Sequence, residues 1–145
     1  MIREESTEQI LEAKKKKGLT FAVVAQKVGK HKVWTTAALL GQHPMTPEQA
    51  QRACELLGLD ETVAESLRLQ PSRGTDPAIM ADPTIYRFTE ALSVYGPALK
   101  ELIHEEFGDG IMSAINFRVD IARRPDPEGD RVVVTFDGKF LDYKW

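Results

Sequence analysis

A single cysteine, Cys54, is all the thiol chemistry the chain carries. It excludes an internal disulfide framework and suits a reducing compartment, and its place on an apolar helical stripe reads as a small core residue. The three histidines, His31, His43 and His104, are scattered. They have no ligand spacing, so neither a zinc site nor a Cys/His nucleophile pair is expected. A phosphate-cradling Gly-rich loop is missing. No apolar run approaches the roughly 20 residues needed to cross a bilayer. The first residues, "MIREESTEQILEAKKKK", show no signal-peptide apolar region, and their acids argue against a transit peptide. A formal net charge of −3 over 145 residues gives no general attraction to nucleic acid or anionic lipid. The expectation is a cytoplasmic protein without metal, membrane or nucleic-acid partner.

What is present divides into two unlike halves. Residues 1–70 read as short helices. Ser6 with Gln9 suggests a capping box, and Gly18 follows the Lys14–Lys17 run as a stop. Phe21, Val24, Ala25 and Val28 form one stripe closed by Gly29, and Val33, Ala37 and Leu40 another closed by Gly41. Thr46-Pro47 starts a fourth helix with Ala50, Ala53, Cys54 and Leu57 facing inward, and Asp60 caps a fifth carrying Val63 and Leu67. The lysine run itself reads as a solvated helix end.

Residues 71–82, rich in proline, read as an extended linker, and 83–145 as a second domain. Asp82-Pro83 starts a helix that Gly96-Pro97 is expected to break, with Pro97 opening another as far as Gly108. The period then switches to two. Ile111, Ser113, Ile115, Phe117, Val119 and Ile121 share a face, "PDPEGD" turns the chain, and Val132, Val134 and Phe136 alternate on the return. Asp137-Gly138 suggests a second turn before a short third strand. The fold class is α+β: an all-helical bundle, helix-turn-helix-like, followed by a small α+β domain. Its few strands leave much of the Ile/Phe/Val face uncovered, so an obligate oligomer is expected.

Two constellations carry possible chemistry. In "KHKVWTTAALL", Lys30, Lys32 and Thr35 would face DNA if this were a recognition helix. Yet residues 1–70 hold ten Lys/Arg against nine Asp/Glu, a balance of +1, which is a poor match to a phosphate backbone. In "YRFTEAL", Arg87 and Glu90 lie three apart on one helical face. Spacing alone allows an ordinary surface ion pair. Flanked by Tyr86, Phe88 and Leu92, it also allows a partly buried pair whose planar guanidinium holds small anions. Ser113 and Asn116, polar groups early in an apolar strand, are either satisfied by backbone or wait as neutral donors for a ligand.

"YRFTEAL", "SVYG" and "LKELIHEEFGDGIMSAINF", with "DPEGDRVVVTFDGKFL" after them, closely resemble the cyanase (cyanate hydratase, cyanate lyase) family. The likeness extends into the bundle through "KKKKGLTFAVVAQKVG" and "TAALLGQ". It implies bicarbonate-dependent decomposition of cyanate to ammonia and carbon dioxide through carbamate, with no metal or organic cofactor. It also implies a bundle that does not bind DNA, C-terminal halves interlocked in dimers, and five dimers in a homodecamer with active sites between subunits. The family's catalytic residues fall on Arg87, Glu90 and Ser113. Arg87 would hold the substrate anions, Glu90 orient Arg87 or handle protons, Ser113 bond substrate, and Asn116 support it. The departures are peripheral: the first few residues and the terminal "FLDYKW", where relatives often carry proline at the position of Asp142. The rival reading is a helix-turn-helix regulator with an anion-sensing oligomerisation domain.

Overall fold

The computed structural model describes residues 1–74 and 76–144. Among these residues, six α-helices, with a 3-10 turn at Pro77–Ala81, precede a two-stranded hairpin. The chain divides into two compact units: Met1–Gly74 with Val119–Thr135, and Thr75–Arg118 with Phe136–Trp145, of which 75 and 145 lie outside the described residues.

The first unit holds α1 (Arg3–Lys16), α2 (Phe21–Val28), α3 (Lys32–Leu39), α4 (Pro47–Leu57) and α5 (Glu61–Arg68). Local chemistry places most of its boundaries. The Thr46 hydroxyl accepts from the Gln49 N–H and the Gln49 side chain returns a bond to the Thr46 N–H, while Asp60 caps Thr62 and Val63. Val24, Val28, Ala50, Ala53, Cys54, Leu57, Val63 and Leu67 meet in one core with Ile10 and Leu39. Burial of each larger member contributes about 1.5–3 kcal/mol.

Two expectations fail here. Ser6 caps nothing: α1 already begins at Arg3, and Ser6 is buried, donating to the Arg3 carbonyl and lying 2.9 Å from the Ser66 hydroxyl. On α3 the buried residues are Thr35, Ala38 and Leu39, while Leu40 lies at the exposed end of the helix. Eight residues turn the stripe through too few repeats for periodicity to fix its phase.

Arg3 ties this unit together. Its Nη1 donates to the carbonyls of Ser66 (2.6 Å) and Leu69 (3.3 Å), and its Nη2 to those of Ala38 (2.9 Å) and His43 (2.8 Å). One guanidinium thus satisfies orphan carbonyls at the ends of α3 and α5, a match for the negative end of each helix dipole. Burial lowers its pKa from the ordinary arginine value.

The second unit is built on α6 (Pro83–Phe107), a single helix of 25 residues capped by the Asp82 carboxylate at Thr84 and Ile85. Gly96-Pro97 does not break it. Pro97 forfeits one backbone bond at a cost of about 3 kcal/mol. Strong helix formers on both sides, "EAL" before and "ALKEL" after, carry the helix through. None of its side chains is buried.

Strands β1 (Gly110–Arg124) and β2 (Arg131–Asp142) form the hairpin, turned at Asp126–Gly129 by a Gly129 N–H bond to the Asp126 carbonyl. Asp137-Gly138 is no turn; β2 runs straight through it. There is accordingly no third strand among the described residues.

If Arg3 organises the bundle, Arg3→Leu strands three part-buried carbonyls and lowers stability by about 3 kcal/mol. Denaturant unfolding at fixed protein concentration checks this. A change below about 0.5 kcal/mol would remove Arg3 from that role.

Candidate active site

Helix α6 presents Arg87 and Glu90 on its second turn, three residues apart. Arg87 Nη1 donates to Glu90 Oε2 at 2.7 Å, a short charge-assisted bond. The Arg87 side chain is 68% exposed and Glu90 54%. In the single chain, therefore, Tyr86, Phe88 and Leu92 do not bury the pair; they are themselves exposed. The Tyr86 ring lies 5.9 Å from the guanidinium carbon. No other partner holds the remaining Arg87 N–H groups among the described residues, so one edge of the fork stays open.

Ser113 is different: it is 5% exposed. Its Oγ accepts the N–H of Ile115 (3.0 Å) and of Asn116 (2.9 Å). Both lone pairs are thereby used, and what remains to the hydroxyl is its proton. The backbone-satisfied reading of Ser113 holds for its lone pairs.

The strand around Ser113 is not regular. From Arg118 to Ser113 is five steps along β1. Yet Arg118 reaches Asp137 across the hairpin (3.1 Å) and the Ser113 carbonyl lies beside Gly138, one step further on β2. The surplus residues of β1 bulge outward. Ile115 marks the crest at 97% exposed, so the alternation expected for Ser113 and Ile115 on one face breaks here. Asn116 follows, giving its N–H to Ser113 while its residue lines an open hollow with Phe117, Arg118, Asp137 and Lys139.

Gly138 makes this approach possible. A Cβ there would lie 2.5 Å from the Ser113 carbonyl oxygen and against the Met112 side chain. A turn-forming Asp-Gly pair was the sequence signal; the glycine instead supplies room inside a strand.

The structure brings Arg87 to Glu90 and Ser113 to Asn116. It makes no hydrogen bond between these two pairs among the described residues. No group of three or more metal-ligating side chains occurs among the described residues, and no helix there is long and apolar enough to cross a membrane. Burial, with help from Glu61 and Asp60, pushes the Cys54 thiol up to about 11, which keeps it protonated and inert at neutral pH.

The DNA-facing surface fails on geometry. Thr35 is fully buried. Lys32 lies 3.8 Å from Asp120 of the hairpin, and Lys30 sits over the Trp34 ring. His31 Nδ1 accepts the Val33 N–H, so the neutral ring carries its proton on Nε2, which lies 3.2 Å from the same Asp120. The hairpin thus reaches the start of α3, where a recognition helix would meet bases, through one carboxylate.

Gly138→Ala should push the Ser113 carbonyl away and loosen both bonds to its Oγ. Amide exchange at Ile115 and Asn116 is then expected to quicken about fivefold or more, the equivalent of one lost hydrogen bond. Unchanged exchange would show that the close approach is immaterial.

Comparison with known proteins finds likenesses along the whole chain. The family model for the cyanate lyase C-terminal domain matches residues 77–145, and that for the cyanate hydratase N-terminal region matches residues 3–71. Cyanate hydratase from Mycolicibacterium vanbaalenii is 58% identical, over 100% of this chain and 95% of that protein. Its counterpart from Pseudomonas savastanoi pv. phaseolicola is 52% identical, over 98% and 92%. The crystal structure of cyanase from T. urticae superposes with a TM-score of 0.87 at 44% identity, covering 94% of this chain and 96% of that one. With both halves matched by family models and relatives above half identity end to end, the chain belongs to the cyanate hydratase (cyanate lyase) family.

Proposed function

We propose that the protein decomposes cyanate with bicarbonate as co-substrate, using Arg87, Glu90 and Ser113 and no metal or organic cofactor. The Arg87–Glu90 pair, with its open guanidinium edge, is the observation that supports this reading most strongly. A bicarbonate oxygen adds to the electrophilic cyanate carbon, and the nitrogen takes two protons, the bicarbonate's own and one from solvent. The bond from that oxygen to the bicarbonate carbon then breaks, releasing carbon dioxide and leaving carbamate. Carbamate takes a further proton from solvent on its nitrogen, its carbon–nitrogen bond breaks, and it falls to ammonia and a second carbon dioxide.

Two monoanions brought to about 4 Å repel by about 4 kcal/mol at an effective dielectric constant near 20. A fixed positive charge must offset that, and arginine does so without losing its proton. Glu90 holds one Arg87 nitrogen at 2.7 Å, which orients the fork and leaves the other N–H groups for the anions. A carboxylate aimed at the substrates would repel them. Ser113, its lone pairs occupied, can only donate, and a donor is what an anion requires. It is no nucleophile, since no histidine bonds to it among the described residues. Asn116 holds the serine through its N–H. Much of the rate comes from holding two substrates together.

Assembly belongs to the same proposal. Helix α6 exposes Val94, Tyr95, Leu99 and Leu102, and the hairpin exposes Ile115 and Val132. So much apolar surface calls for a second copy, and we place interlocked dimers, five to a decamer, with the sites between subunits. Burying the Arg87–Glu90 pair there would dry and strengthen it. A reducing, cytoplasmic setting suits the lone thiol.

The test is ammonia release from cyanate with and without added bicarbonate. Turnover is expected only with bicarbonate. Arg87→Ala should lose about 100- to 1,000-fold in kcat/KM, and Arg87→Lys, with charge but no fork, should recover little of it. Bicarbonate-independent turnover, or full activity in Arg87→Ala, would overturn the reading. Sedimentation should find an oligomer that a Leu102→Glu substitution weakens; a wild-type monomer would refute the assembly.

A further inference from the structure

The hollow beside Asn116 has a charge pattern that the reaction above leaves unused. It is an open space of about 380 Å3 lined by Asn116, Phe117, Arg118, Asp137 and Lys139. Its charged groups are two cations and one carboxylate, a local balance of +1 on a chain whose formal charge is −3. Arg118 Nη2 donates to Asp137 Oδ2 at 3.1 Å, and both side chains are largely exposed. An exposed pair of this kind adds little to stability. Its position is the informative feature: Asn116, which shares the wall, also holds Ser113.

We propose that Arg118 and Lys139 form an anion-capture patch feeding the Ser113–Asn116 turn, with Asp137 as its attenuator. The inference rests on the anionic substrates assigned above. Cyanate and bicarbonate approach a protein that repels them at long range, so a local positive potential next to the site raises their concentration where it matters. Asp137 cancels part of that potential by engaging Arg118. Without it, the patch would bind anions more strongly and release them less readily. Neither cation touches the reacting atoms in this scheme; both act through the field.

Kinetics at low ionic strength separate this role from a structural one, because the sign of the Asp137 effect differs. Arg118→Gln and Lys139→Gln should each raise KM for cyanate and bicarbonate by about three- to tenfold with kcat unchanged. Asp137→Asn should lower KM, and Arg118→Lys should stay close to wild type. The ratios between variants should collapse toward unity near 0.5 M salt, where the Debye length is about 4 Å. If Asp137→Asn raises KM as Arg118→Gln does, the pair merely fastens the hairpin and the patch is overturned. Salt-insensitive ratios overturn it as well. Failure of the wild-type oligomer to consume cyanate at all would instead strike the assigned reaction, on which the patch depends.

Discussion

A helix of 25 residues without one buried side chain gains little hydrophobic burial from its own chain. Among the described residues, the hydrophobic core lies in the bundle, around Leu39, Leu57 and Leu67. Helix α6 leaves Phe88, Leu92, Leu99, Leu102 and Phe107 largely open to water. Each is already about half covered, so burying the remainder would contribute about 1 kcal/mol. Arg87 and Glu90 ride on that helix, and at 68% exposure the arginine sits in solvent that screens its charge. Under the proposed function, covering the apolar face and drying the ion pair are the same event. Assembly and chemistry would then have been selected together.

The hairpin meets two demands at once. Near its turn, Asp120 reaches His31 and Lys32 at the start of α3. Near its base, the bulge between Ser113 and Arg118 converts a strand into a small turn knotted by one hydroxyl. A serine with both lone pairs engaged is oriented before any ligand arrives. Preorganised donors cost no rearrangement during reaction. The room for this knot comes from Gly138 on the neighbouring strand.

What could be read from the sequence was mostly local. Thr46-Pro47, Asp60 and Asp82-Pro83 announced helix starts because a cap acts within three residues. The stripe at Ala50, Ala53, Cys54 and Leu57 was legible because α4 is long enough to fix its phase. The Arg87–Glu90 bond followed from i, i+3 spacing. Contacts between distant segments were hidden. Arg3 bonds carbonyls 35 to 66 residues away, a link that no short window contains. Pro97 and Asp137-Gly138 look like breaks by composition, and only the surrounding helix and strand show why the chain continues. The Arg118–Asp137 pair was missed because it depends on the register of the bulge.

The two-anion route is tested most directly by the fate of the bicarbonate carbon. Carbon-13 bicarbonate and unlabelled cyanate would be mixed with the protein, and carbon dioxide in the first turnovers followed by mass spectrometry against ammonia. The proposed route predicts one labelled and one unlabelled carbon dioxide for each ammonia. Ammonia accompanied by a single unlabelled carbon dioxide would be direct hydrolysis, and would contradict the role given to Arg87 as the holder of two anions.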